Sequence, residues 1–277
     1  MPTASQATAN VKQAANGRSV ELLGRLGLAS RGMLYLVMAV LVVKLALEGG
    51  GSDEEASKSG ALRTVAEQPF GKVLLVVMAV GFAGYTVWRL SQAITADEDD
   101  AAKTWVKRIG YIARAAVYVT ILITTIKLLT GGDDGGQGGQ REETSRAFGL
   151  PFGRWLVLAA GLGFLIAAGY NGYRAYSKSY EKKWDQSDMS GSERKAAVRV
   201  ASVGLAGHMV VFALVGFFLA KSALQFDQSE PVGLDESLHR IAGESWGTLA
   251  LLILAVGLAG YAVFCFLEAK LRRMLDD

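Results

Sequence analysis

The sequence is short of the residues that staple chains, bind metals or break helices. Its 277 residues hold one cysteine, two histidines and four prolines. A single cysteine excludes a disulfide framework, and two histidines offer little for a zinc or haem site. Charged residues make up only 20% of the chain, and a chain this poor in charge and this apolar does not stay disordered. The 33 glycines follow no three-residue period, which excludes collagen, and no long heptad run supports a coiled coil. There is no P-loop, GxSxG or HExxH, so neither an enzyme nor a cofactor is expected. Cys265 has no histidine near it in sequence, which argues against a catalytic thiol.

What is abundant is apolar sequence, 51% by composition with a mean hydropathy of +0.27. It is concentrated in six blocks: Leu26–Leu47, Phe70–Leu90, Ile109–Leu129, Phe152–Tyr173, Val200–Leu224 and Trp246–Leu267. About 20 residues of helix span about 30 Å, the thickness of the bilayer's hydrocarbon core, and lipid tolerates only helices or closed barrels. The blocks do not alternate as barrel strands do, so six helices are expected. Arg31, Lys44, Arg114 and Lys127 interrupt the first and third blocks, but long basic side chains near helix ends snorkel to the interface. Residues 1–20 lack the apolar core of a signal peptide, so the first span is expected to serve as the insertion signal. With the N-terminus in the cytoplasm, 19 of the 29 Lys and Arg fall inside, and the net +3 divides into +7 inside and −4 outside. This matches the positive-inside rule and places both termini in the cytoplasm. Nucleic-acid binding is not indicated.

The chain also repeats itself. Gly27, Arg31, Tyr35 and Lys44 recur 83 residues later as Gly110, Arg114, Tyr118 and Lys127, and 94 further on as Gly204, His208, Phe212 and Lys221. Ala79-Val-Gly-Phe-Ala-Gly-Tyr85 returns as Ala255-Val-Gly-Leu-Ala-Gly-Tyr261, and Pro69-Phe-Gly-Lys72 as Pro151-Phe-Gly-Arg154. Ser245-Trp-Gly-Thr248 is a looser third copy. Each unit has two spans, so all three share one orientation. The expected fold is all-α: a polytopic membrane protein of six transmembrane helices, three parallel two-helix repeats with approximate threefold symmetry about the membrane normal. Its parts are a polar cytoplasmic tail (1–20), expected to be disordered, repeat 1 (21–95), repeat 2 (96–180), a cytoplasmic linker (181–191), and repeat 3 with a short C-terminus (192–277).

These motifs resemble the bacterial membrane proteins filed as domain-of-unknown-function family 1206, which carry tandem two-helix units. The likeness covers Leu23 to about Lys270; the third unit departs from it, with His208, Phe212 and Ser245 in place of arginine, tyrosine and proline. The resemblance implies a bacterial inner-membrane protein and supplies no activity.

Gly27, Arg31 and Tyr35, spaced i, i+4, i+8, share a helix face, as do their counterparts. If that face turns inward, Arg31, Arg114 and His208 form an inner basic ring, with Tyr35, Tyr118 and Phe212 above it. Such a ring could hold anions or lipid head groups; otherwise each arginine simply snorkels to water. Lys44, Lys127 and Lys221, about 20 Å further along, form a candidate outer ring or pair with the acidic outer loops. No carboxylate falls in the six blocks. Ala79/Ala83, Ala255/Ala259 and Gly161, Gly163, Ala167, Ala168 and Gly172 read as close-packing seams. Tyr85, Trp88, Tyr170, Tyr173, Tyr176 and Trp184 read as an aromatic belt. The glycine-rich acidic stretches 49–55 and 131–139 lack EF-hand spacing and read as linkers rather than a metal site. Short helices holding Leu62, Val65 and Ala66, and Leu238, Ile241 and Ala242, are expected to lie on the outer membrane surface, with Asp235 and Glu236 at the start of the second. Ser190-Gly-Ser-Glu193 fits a capping box. The basic, aromatic stretch 174–184 suits anionic lipid.

Two functional readings follow. The first is a non-enzymatic scaffold, lipid-contacting or partner-binding membrane component, whose partners are the bilayer, anionic head groups, another membrane protein or a second copy. The second is a pore or permease for a small anion along the pseudo-threefold axis.

Overall fold

Long apolar windows with few helix breakers become long helices. The computed structural model describes residues 18–48, 56–96, 100–132, 152–187, 189–225 and 234–273. The polar tail up to residue 17 and most of the two glycine-rich acidic stretches lie outside these. The elements in chain order are α1 (Arg18–Leu47), α2 (Lys58–Glu67), α3 (Gly71–Thr95), α4 (Ala101–Thr130), α5 (Gly153–Ser177), a 3-10 turn (Ser179–Lys183), α6 (Gly191–Gln225), α7 (Leu234–Ala242) and α8 (Gly247–Leu271). Six of these, all but α2 and α7, are long and apolar enough to cross a membrane, and the described residues contain no strand.

The six long helices follow one another around a ring. α1 packs on α3, α3 on α4, α5 on α6, α6 on α8, and α8 closes back on α1. α4 and α5, joined through residues 131–152, do not pack along each other. α1 and α8 are the most deeply covered, while α4 and α5 are the most exposed.

Glycine allows the packed seams to close. A Cβ on Gly27 would stand 2.7 Å from the Gly81 carbonyl oxygen, and one on Gly81 would stand 2.2 Å from Ser30 Oγ, so α1 and α3 touch backbone to backbone. Gly204 against Gly260 and Gly207 against Gly257 do the same for α6 and α8, at 2.3 and 2.4 Å. Gly161 and Gly172 of α5 fit against α6. Close approach of this kind gives lipid-embedded helices the dispersion contacts that hold them together.

The two short helices differ from their expected position. Leu62 and Leu238 are completely buried, and α2 packs on α1, α3 and α4 while α7 packs on α8, α6 and α1. They cap the bundle, their apolar faces buried in the protein interior rather than left for lipid. The Ala56 amide donates to the Asp235 carboxylate at 2.6 Å, tying the two caps together. From each cap the chain turns sharply into the next span. The Pro-Phe-Gly copies place Phe70 and Phe152 in the left-handed region, at φ 65° and 64°. Gly71 and Gly247 then sit so close to the preceding short helix that a Cβ would meet a carbonyl oxygen at 2.2 and 1.9 Å. The third copy makes its turn without the left-handed aromatic, since Trp246 has φ −98°.

At the opposite face the two ends of the ring meet. Arg25 of α1 donates to the carbonyls of Ala269, Lys270 and Arg272 at the end of α8, at 2.6, 2.8 and 3.2 Å. The 3-10 turn covers this junction. Trp184 forms an isolated bridge with Arg272, and its indole donates to Glu268 at 2.7 Å. Glu268 is 3% exposed and pairs with Arg272 at 2.6 Å. This carboxylate lies inside α8, one residue past the sixth apolar block; the i, i+4 spacing to Arg272 is its only trace in sequence. Burial pushes the nearby Tyr180 phenol up. Tyr85, Trp88 and Trp184 are therefore interior residues and not belt residues, whereas Tyr170, Tyr173 and Tyr176 are exposed. The capping box is formed: Ser190 Oγ accepts from the Glu193 amide and Glu193 accepts from the Ser190 amide.

Lys58 starts α2 half-buried. Burial, with the positive charge of Arg31 adding to it, holds its ammonium down at about 8 against 10.5. The unfolded chain therefore binds more protons between about pH 8 and 10.5, and stability should rise with pH through that window. We expect the unfolding temperature to climb between pH 7.5 and 9.5 in the parent relative to Lys58→Met. Parallel curves for the two proteins would contradict this.

Candidate functional site

The centre of the ring is aromatic and holds one arginine. Arg31 Nη1 donates to the Tyr85 hydroxyl at 3.4 Å and Nη2 donates to the Tyr261 hydroxyl. Its guanidinium lies 5.8 Å from the Tyr35 ring, 5.8 Å from Tyr118 and 5.0 Å from Tyr261. The negative faces of the rings supply what a counter-ion would, at roughly 0.5–2 kcal/mol per contact. His208 stacks on Tyr261 at 3.9 Å, meets Phe212 at a tilt at 4.2 Å, and has Tyr35 edge-on at 5.1 Å. Both of its ring nitrogens and Arg31 Nε are buried without a hydrogen-bond partner among the described residues.

Of the candidate inner ring, then, Arg31 and His208 come together through shared aromatic neighbours. Arg114 does not join them. It is exposed on α4, donates to the Gly110 carbonyl of its own helix at 3.4 Å, and lies 6.0 Å from the Tyr170 ring of α5. Among the associated aromatics, Tyr35 and Tyr118 are buried in the centre and Phe212 packs between His208 and Phe164. On the opposite side, Lys44 and Lys221 are half-buried and each is engaged by a neighbour, while Lys127 is exposed.

The different fate of Arg114 follows from the helix facing it. Tyr85 of α3 and Tyr261 of α8 occupy equivalent places and hold Arg31. At the shift of 82 that aligns the Pro-Phe-Gly turns, the same place in α5 is Ala167. With no aromatic to fill the centre, the α4–α5 contact loses its core. The seam glycines are present all the same. Gly110 corresponds to Gly27, and Gly163 to Gly81 and Gly257. A Cβ on Gly110 would meet only Arg114, at 3.7 Å, and one on Gly163 would meet nothing within 4 Å. Among the described residues α4 and α5 are thus left without a packed seam between them. Comparing the three copies at Tyr85, Ala167 and Tyr261 would have revealed it from sequence.

Toward the Arg25 end of α4 and α5 further cations gather. Arg174, close to the end of α5, lies 5.9 Å from the Tyr170 ring and 5.4 Å from Phe264. Arg89 is buried over Trp88 at 4.1 Å and Tyr85 at 4.8 Å, with Gln92 accepting from it at 2.6 Å. No group of His, Cys, Asp and Glu among the described residues is arranged to hold a metal.

Six such helices make a multi-pass membrane protein. The family model described as Domain of Unknown Function (DUF1206) matches it three times, over residues 26–96, 109–178 and 203–272, which begin 83 and 94 residues apart. The chain belongs to this family. It is similar to the uncharacterized protein YxxB of Bacillus subtilis (strain 168), at 29% identity over 259 residues covering 92% of each chain. No solved structure matches it.

Proposed function

We propose that this protein is a non-enzymatic, lipid-contacting component of a bacterial inner membrane, and that the cleft between α4 and α5 is where it receives material from the bilayer. The three units are arranged in parallel around an axis along the membrane normal, with the middle unit sprung open. The face carrying Arg25 and Arg272 is cytoplasmic, as the excess of Lys and Arg there supports. The observation that carries the reading is the unused seam: Gly110 and Gly163 hold the same positions as the packed glycines of the other units yet meet no partner helix. Small residues along a groove inside the membrane admit a chain that bulkier ones would exclude. An axial anion path has less support, since Tyr35, Tyr85, Tyr118 and Tyr261 fill the centre around Arg31.

A nitroxide at position 163 in reconstituted vesicles should be relaxed by lipid-dissolved oxygen as readily as one at exposed Ile166, and one replacing the buried Leu258 should be shielded. The same vesicles should leak no more chloride or phosphate than protein-free ones. Shielding at 163 equal to that at 258 would refute the open cleft, and protein-dependent anion flux would favour the pore.

A further inference from the structure

We infer that the end of this cleft nearest Arg25 is a head-group site for an anionic glycerophospholipid, with Arg114 and Arg174 as its two walls. This rests on the cleft reading above and adds the chemistry of the occupant.

The first support is convergence. Arg114 on α4 and Arg174 on α5 both lie about 6 Å from one ring, that of Tyr170. Two guanidiniums from opposite walls therefore stand no more than about 12 Å apart across the opening. Like charges this close repel unless something negative joins them, and in lipid the repulsion is poorly screened.

The second support is the lack of any such group in the protein. The described carboxylates on this face are engaged elsewhere: Glu21 with Arg25, Glu181 with Arg194 and Glu268 with Arg272, while Asp100, Asp185 and Glu193 accept from Ala102, Ser187 and Ser190. Neither Arg114 nor Arg174 has an ion-pair partner among the described residues. A phosphodiester brings one full negative charge and oxygens that accept from planar guanidinium groups.

The third support is depth. Arg114 stands five residues past Ile109, about 7.5 Å along the helix, and bends back to the Gly110 carbonyl. That puts its charge near the boundary where lipid phosphates lie. Beyond it α5 offers Leu162 and Ile166, both exposed, which suit acyl chains and would not suit a free anion from water.

The test uses the full-length purified protein, with bound lipid counted by native mass spectrometry. We expect phosphatidylglycerol to be retained about tenfold or more over phosphatidylcholine of the same acyl chains. Arg114→Gln combined with Arg174→Gln should reduce that preference to near one while phosphatidylcholine retention stays unchanged. Arg114→Lys, which keeps the charge, should retain part of the preference, so a loss caused by misfolding is distinguishable. Equal retention of the two lipids by the parent would overturn the head-group site and leave the cleft standing. Displacement of phosphatidylglycerol by millimolar inorganic phosphate would overturn the lipid as occupant in favour of a free anion. Retention of neither lipid, together with a shielded nitroxide at 163, would remove the cleft as well.

Discussion

Gly207→Ala will destabilise the bundle by about 2–3 kcal/mol, while Gly163→Ala, a change of the same size in the same kind of helix, will be neutral or slightly stabilising. A Cβ at 207 would stand 2.4 Å from Gly257 Cα and 2.6 Å from its carbonyl carbon. Those are backbone atoms and cannot swing away, so α6 and α8 must separate by about 1 Å and lose dispersion along the whole seam. Alanine's better helix propensity, about 1 kcal/mol, offsets only part of that loss. At 163 the added methyl meets nothing within 4 Å, so only the propensity gain remains. Unfolding in detergent with increasing dodecyl sulfate would measure both. Equal losses at the two positions would mean that α4 and α5 pack as tightly as α6 and α8.

The second large effect is expected at Glu268. Replacing it by alanine removes the buried carboxylate partner of the Arg272 guanidinium and the acceptor of the Trp184 indole. Breaking a buried pair from one side typically costs about 3–5 kcal/mol, most of it the uncompensated charge left behind. The 3-10 turn should also come away from α8, because Trp184 is its main anchor. Lys182 and Lys183 are exposed on that turn. Trypsin should therefore cut there many times faster in Glu268→Ala than in the parent. Replacing both Glu268 and Arg272 by methionine should recover most of the stability, because no lone charge remains. A double variant as unstable as the single one would show that the pair acts through geometry and not through charge.

The spans were legible in the sequence because crossing a bilayer depends on one property summed over about 20 residues. The repeats were legible too, since Gly27, Arg31 and Tyr35 recur at fixed offsets. Which copy is packed was not legible from those residues, because Gly110, Arg114 and Tyr118 carry the same motif. What separates them lies on a different helix, where Ala167 replaces the tyrosine that holds Arg31 elsewhere. What the short helices cover is not legible for a similar reason. An amphipathic decamer needs an apolar surface to cover, and nothing local says whether lipid or the bundle supplies it. Glu268 is hidden in the sequence because an isolated carboxylate at a span's end reads as solvated, and only the fold brings Trp184 and Arg272 over it.

The pairing of α1 with α8 has a consequence for biosynthesis. The first span to enter the membrane has the last one as its partner, so the ring cannot close until translation has delivered all six. Until then the face of α1 that carries Arg31 and Tyr35 has α3 beside it but lacks Tyr261. Of the two hydroxyls that hold Arg31, only that of Tyr85 is present. A nascent chain stalled before α8 would therefore expose a cation within the bilayer, which gives membrane quality control a physical mark separating an unfinished molecule from a finished one.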